Sequence, residues 1–353
     1  MSALRRSGVL VLLAALALVV AGCSSSAGAE EHPSSVTTSG DFPVTIEHAL
    51  GTATIPEKPE RVVTLSWMNH DIVAALGVVP VGVPETWGGD DEGFSPWFRE
   101  QVEGELRGEM PEILRSSEDG PDYEQILSLR PDVIVAVYSG LTEVQYRRLS
   151  EIAPTVAYMD RPFTSGTWQE HTEIIGTILG EQERADEVIE STERAIAAET
   201  ARYPNLEGAS FLYSLALAEG SAEMAAYITE DARVSLLHEF GMVDSPALAP
   251  ASEGLDPELF YTGISLEKLS DVEADVVLAW SNSAEETAYT LQHPVFRRWA
   301  PIVAGRYYVA EGATLGMATS GPDVLSIPWA IEHGYIEDIS AAIDGGAVVG
   351  GAE

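Results

Sequence analysis

Positive charge is what this chain has least of. Only 19 basic residues stand against 56 acidic ones, a formal net charge of −37, and just two of the 19, Lys58 and Lys268, are lysines. So one-sided a field repels phosphate backbones, which excludes nucleic acid as a partner. It also disfavours a strongly anionic small ligand unless a few arginines converge on it. Cysteine is nearly as scarce: Cys23 stands alone in 353 residues, so no disulfide can form within the chain. The seven histidines (His32, His48, His70, His171, His238, His293 and His333) show no i,i+4 pair or other metal-ligand spacing, so no metal centre is expected. A glycine-rich phosphate loop and a nucleophile elbow are both missing, and the expectation is a protein that is not an enzyme and needs no cofactor. The apolar run at 9–22 is too short to cross a bilayer comfortably.

What is present begins with an address. Arg5 and Arg6 precede that apolar run, which ends Val20-Ala21-Gly22-Cys23. This is a signal peptide closed by what resembles a bacterial lipoprotein cleavage box. The expectation is loss of residues 1–22, a lipid on Cys23, and a protein held at the extracytoplasmic face of the cell membrane. Residues 23–41 are rich in Ser, Ala and Glu without periodicity, and read as a flexible tether in which His32 is idle. The remainder has the composition of a globular protein and room for two domains.

The folded part is organised around residues 180–204, where Ala185, Val188, Ile189, Thr192, Ala195 and Ile196 fall on one helix face. Gly180 breaks the chain before this helix and Pro204 stops it. On either side lie alternating strands and helices that share an echo. Tyr123-Glu124-Gln125-Ile126 leads into Asp132-Val133-Ile134-Val135, and Leu266-Glu267-Lys268-Leu269 leads into Asp275-Val276-Val277-Leu278. A constant offset pairs Glu124 with Glu267 and Asp132 with Asp275. Each copy reads as a short helix feeding a buried parallel strand. Further strands are expected at 61–66, 78–83, 155–158, 211–214 and 306–309. Capping boxes are expected at Asp122/Gln125 and Thr167/Glu170, a cap at Ser265, a kink at Pro328, and a loose tail from Gly345. The fold class that follows is α/β: two Rossmann-like lobes with mostly parallel sheets joined by a long rigid helix. The expected divisions are 42–165 for the first lobe, 166–204 for the connecting helices and 205–345 for the second lobe.

Ligands of such sheets sit beyond the carboxyl ends of the strands. The residues just past those ends are Trp67, Asn69, Trp87, Tyr138, Arg161, Tyr213, Trp280 and Asn282, and Trp329 is a further aromatic candidate. Several are aromatic, which suits a cleft for a small molecule.

In order and spacing, these features resemble one family: the periplasmic or lipid-anchored solute-binding proteins of ABC importers for ferric siderophores, haem and cobalamin. The carriers are Arg61-Val62-Val63-Thr64-Leu65-Ser66, the segment from Tyr123 to Ile134, the linking helix, and Ser265-Leu266-Glu267. The resemblance implies a class III periplasmic-binding-protein-like fold whose backbone helix limits lobe motion, a monomer, and an ABC permease as partner. It also implies that Glu124 and Glu267, one on each lobe, dock against permease arginines. Each glutamate also sits two residues past an expected helix cap, where a carboxylate is favoured by about 0.3–1 kcal/mol in any protein.

Within that family, charge selects the ligand. A ferric triscatecholate carries about three negative charges and calls for converging arginines. Here Arg161 stands at a strand end and Arg233 is the second candidate. A neutral or cationic ferric hydroxamate, which saturates its own iron, is therefore the favoured ligand, with haem and cobalamin as alternatives. A two-lobed enzyme using Glu124 and Glu267 as acid and base is the reading from another class.

Overall fold

The computed structural model describes residues 42–117, 120–256 and 259–350; Cys23, the signal peptide and the tether lie outside them. The chain enters through an antiparallel hairpin, β1 (Val44–His48) and β2 (Gly51–Ile55), which the sequence pattern did not announce. There follow β3 (Val62–Thr64), α1 (Asn69–Ala75), β4 (Gly82–Pro84), α2 (Pro96–Arg99), β5 (Glu112–Leu114), the short pair β6 (Ser116–Ser117) and β7 (Gly120–Pro121), α3 (Tyr123–Leu129), β8 (Val133–Val135), α4 (Glu143–Ser150) and β9 (Thr155–Val156). Strands β5-β4-β3-β8-β9 form one all-parallel sheet. Two long helices, α5 (Trp168–Leu179) and α6 (Gln182–Thr200), then lead to the second half.

That half contains β10 (Ser210–Leu215), β11 (Glu223–Tyr227), α7 (Ala232–Glu239), β12 (Val243–Asp244), α8 (Leu248–Ala251), β13 (Tyr261–Ser265), β14 (Val276–Ser281), α9 (Ala284–Gln292), α10 (Ala300–Val303), β15 (Tyr307–Glu311), α11 (Ala313–Ser320), α12 (Ser326–Glu332), α13 (Tyr335–Ile343) and β16 (Val348–Gly350). Its sheet runs β13-β11-β10-β14-β15-β16, with β12 also on β10. Only β11 and β13 introduce antiparallel ladders there. The sheets are separate, one per lobe, as the α/β reading requires.

Helix α6 has 19 residues, about 28 Å of rod. Its buried residues Ala185, Ile189, Thr192 and Ile196 recur at four, three and four, the stripe read from the sequence. Gly180 ends α5 in the left-handed region (φ 65°), which turns the chain into α6. The capping box at Thr167/Glu170 forms as expected. One apolar cluster lies against one face of each sheet, and a third, larger one runs from lobe to lobe through α1, α5, α6 and α12. A shared core of this kind resists opening, because packed interiors transmit strain.

The sequence echo is one structural device used twice. The Asp132 carboxylate accepts the backbone N–H groups of Glu60 (2.7 Å) and Arg61 (3.0 Å). Asp275 accepts the Ser210 N–H (2.8 Å) and hydroxyl (2.7 Å). Each aspartate precedes a central strand and ties it to the start of its parallel neighbour, β8 to β3 and β14 to β10. The Ser210 N–H holds the Asp275 carboxyl below its ordinary range, so its contribution is present above about pH 4 and fades as pH falls further. Asp132→Ala and Asp275→Ala should each cost about 1–2 kcal/mol in urea unfolding, with the effects additive. Unchanged midpoints would refute the shared role.

Four local expectations change. Gln125 does not close a capping box: Asp122 accepts its N–H, but the Gln125 amide turns to Arg115, Ile113 and Glu112. Ser265 makes no side-chain cap, and Glu267 rides on a 3-10 turn, Leu266–Asp271. Pro328 is the third residue of α12, where its missing N–H had no intrahelical partner, so it does not interrupt a longer helix. The tail past Gly345 adds β16 to the sheet edge beside β15.

Candidate ligand-binding cleft

Residues past the strand ends of the first sheet meet residues of the second lobe along a chain of rings. Trp87, after β4, sits edge-on to Trp280 of β14 at 5.3 Å between centroids. The Trp280 indole N–H donates to the Tyr227 hydroxyl at 2.6 Å. Tyr227 lies parallel to Phe260 at 6.4 Å. Phe260 meets Phe163 of the first lobe at 6.3 Å, and Phe163 meets Tyr138 at 5.6 Å. The chain therefore crosses between lobes twice, at Trp87–Trp280 and at Phe260–Phe163. Thr314 adds a polar crossing, its hydroxyl donating to the Gly88 carbonyl at 2.7 Å.

Backbone strain gathers at the same strand ends. Ser66, Met68 and Phe163 hold positive φ (63°, 64° and 60°), a region non-glycine residues avoid. Phe163 can lie where it does because residue 140 is glycine: a Cβ there would stand 2.4 Å from the Phe163 ring.

Inside the ring chain lies Arg233. Its guanidinium carbon is 4.2 Å from the Tyr227 ring centre, a cation–π contact. It is within electrostatic reach of Tyr138 and Tyr213 as well as Tyr227. Arg233 Nη1 donates to both Asp231 oxygens, at 3.0 and 2.8 Å, and the Arg233 N–H donates to Asp231 Oδ1 at 2.9 Å, capping α7. The two are 5% and 1% exposed. Burial opposes the guanidinium's charge, but Asp231 together with Tyr227, Tyr138 and Tyr213 more than offsets this, and burial pushes the Asp231 carboxyl up while Arg233 draws it down. Arginine does not surrender its proton in proteins, so the pair is ionic. Burial also pushes the Tyr138 and Tyr227 hydroxyls up, which keeps them protonated donors. Among the described residues no cluster of three His, Cys, Asp or Glu side chains could hold a metal.

Of the sequence candidates, Trp87, Tyr138, Tyr213 and Trp280 join this assembly, Tyr213 through its edge contact with Tyr227 at 5.4 Å. Trp67 is half-buried beside Gly321, its Cβ 3.5 Å from where a Cβ there would stand, and among the described residues it makes no ring contact with this assembly. Asn69 becomes scaffold instead: its amide donates to the Leu65, Trp67 and Tyr138 carbonyls and accepts the Tyr138 N–H, leaving nothing for a ligand. Among the described residues Arg161 forms an ion pair with neighbouring Asp160 alone, at 3.5 Å. Asn282 is exposed and binds Glu286. Trp329 packs on Trp97 and His333, in a different lobe contact. Sequence reasoning missed Tyr227, Phe260 and Phe163, and underrated Arg233. The one available signal was the apolar run into Tyr227, which ends an unread strand. Glu124 and Glu267 are both exposed, one on each lobe.

A family model described as periplasmic binding protein matches residues 62–296, two thirds of the chain. The chain belongs to that family. It is 25% identical over 270 residues to the probable siderophore-binding lipoprotein YfiY of Bacillus subtilis, covering 76% of this chain and 77% of that one. To the iron(3+)-hydroxamate-binding protein FhuD of the same organism it is 23% identical, covering 77% and 80%. Its fold matches the crystal structure of Streptococcus pneumoniae PiaA in complex with ferrichrome, with a TM-score of 0.76 and 31% identity over 85% of this chain and 99% of that one.

Proposed function

We propose that this protein is the extracytoplasmic binding component of an ABC importer. It captures a ferric siderophore of the hydroxamate type between its lobes and delivers it to a membrane permease. The observation that carries this reading is a buried arginine, neutralised by its own aspartate, within an aromatic chain that spans both lobes. Aromatic faces take up the bulky apolar shell of a ferric complex, and the few fixed donors orient its oxygens. The similarity to siderophore binders supports the same class of ligand. Lipid on Cys23 would anchor the protein, as the lipoprotein relatives' names suggest, and Glu124 and Glu267 would face the permease.

The test is titration of the mature domain with ferrichrome, a ferric triscatecholate, haemin and cobalamin, followed by tryptophan fluorescence. Saturable, one-to-one quenching by ferrichrome is expected, and none by its iron-free form. Trp280→Phe should reduce the quenching amplitude, because its indole stands in the ring chain. Tight binding of haemin or cobalamin with no response to ferrichrome would overturn the siderophore reading.

A further inference from the structure

We propose that Asp231 sets which charge class of ferric complex the cleft accepts, by cancelling the positive charge of Arg233. This rests on reading the cleft as a ferric siderophore site. Three observations carry it. First, the carboxylate holds one arm of the guanidinium at 2.8 and 3.0 Å, and both residues are almost wholly buried. Water cannot screen the pair there, so the cancellation acts at full strength on anything placed beside it.

Second, the cancellation is incomplete in hydrogen bonds. Arg233 Nε is buried with no acceptor among the described residues. A neutral acceptor, such as a hydroxamate or amide carbonyl oxygen, would satisfy that N–H without importing charge. An anionic complex would bring its charges toward the Asp231 carboxylate and receive no net cation in return. Third, the wider field works in the same direction. The chain carries a net charge of −37, and among the described residues no second arginine contacts the rings that Arg233 meets. Asp231 also caps α7, but this does not require its charge: an asparagine oxygen accepts the same N–H. The charge is therefore free to be set by what the ligand needs.

The experiment measures the affinities of ferrichrome and of a ferric triscatecholate for the wild-type mature domain, Asp231→Asn, and the double variant Asp231→Asn/Arg233→Gln. Wild type should favour the neutral complex. In Asp231→Asn the ratio of the two affinities should move toward the anionic complex by about tenfold or more, and the gain should shrink as salt rises. The double variant should lose that gain, because no bare guanidinium remains. If Asp231→Asn does not fold, Arg233→Gln alone tests the pair from the other side: the lone buried carboxyl is held protonated, so the ratio should turn against the anion only as rising pH ionises it. A ratio that does not change in any variant, while wild type binds ferrichrome, overturns the role of Asp231 and leaves the siderophore reading intact. Wild type that binds neither complex overturns both.

Discussion

Cells carrying Glu124→Ala together with Glu267→Ala should take up no ferric ligand, although the purified double variant binds it as tightly as wild type. Both carboxylates are exposed, one on each lobe, and neither makes an ion pair among the described residues. Glu124 is the second residue of α3 and Glu267 the second of the Leu266–Asp271 turn, so the sequence echo places the two at equivalent points. The local benefit to the helix is only about 0.3–1 kcal/mol, so removing either should not disturb the fold. Leu127, one turn beyond Glu124, is 58% exposed, an apolar neighbour that suits a protein contact. A buried charge pair across an interface is worth about 2–5 kcal/mol when one partner is truncated, so two should remove complex formation altogether. Each single variant should show an intermediate loss. Uptake by the double variant at the wild-type rate would sink the docking role.

Much of the scaffold was legible because it is written in local periodicity. The stripe on α6, the apolar runs of β8 and β14 and the cap at Thr167 are patterns within a few residues, and each formed where it was read. The doubled aspartates were legible as a repeat, but their task was not. That task appears only when Glu60 and Ser210 arrive from 72 and 65 residues away. The cleft was half legible for a related reason. Topology brings residues past parallel strand ends together, which placed Trp87, Tyr138 and Trp280 in the ring chain. Tyr227 lies at the end of an antiparallel strand and Phe260 in the loop before another, where that rule is silent. Asn69 obeyed the rule and still turned inward, because the strained loop around Met68 left three carbonyls needing a donor. Which polar side chain serves the backbone and which serves the ligand depends on such vacancies, and sequence spacing does not record them.

A second contact between the lobes predicts a pH response that the cleft does not. Asp71 on α1 and Asp323 just before α12 are fully buried carboxyls within hydrogen-bonding reach of each other. Asp71 Oδ2 accepts the Trp97 indole N–H at 3.0 Å, and Asp323 Oδ1 accepts the Leu325 and Ser326 N–H groups at 2.8 and 3.1 Å. Asp71 Oδ1 and Asp323 Oδ2 have no donor, so one proton held between the carboxyls supplies what both lack. Burial pushes both carboxyls up; Asp71 pushes Asp323 up further, while the hydrogen bond from Asp323 draws Asp71 partly back. The other titratable group facing them is His70, whose Nε2 is 3.8 Å from Asp71 Oδ1. Burial lowers it to about 4, so it is neutral near pH 7 and does not replace the proton. The raised carboxyls make the pair's contribution complete below about pH 4, where the unfolded aspartates are protonated, and progressively lost as pH rises through neutrality. The lowered His70 acts oppositely below about pH 6.5, which masks the slope in wild type alone. Comparison with Asp323→Asn isolates the pair above about pH 6.5, where His70 is neutral folded and unfolded; below that the variant also loses the Asp323 charge that raises His70. The asparagine keeps the two backbone bonds while donating an N–H to Asp71. The stability of wild type minus that of the variant should fall by about 1.4 kcal/mol for each pH unit above about 6.5 until the pair ionises. Urea unfolding across pH 6.5–8 measures it, and hydrogen exchange should show the loss first in α1 and α12. A difference that stays flat over that range would mean that the two aspartates share no proton.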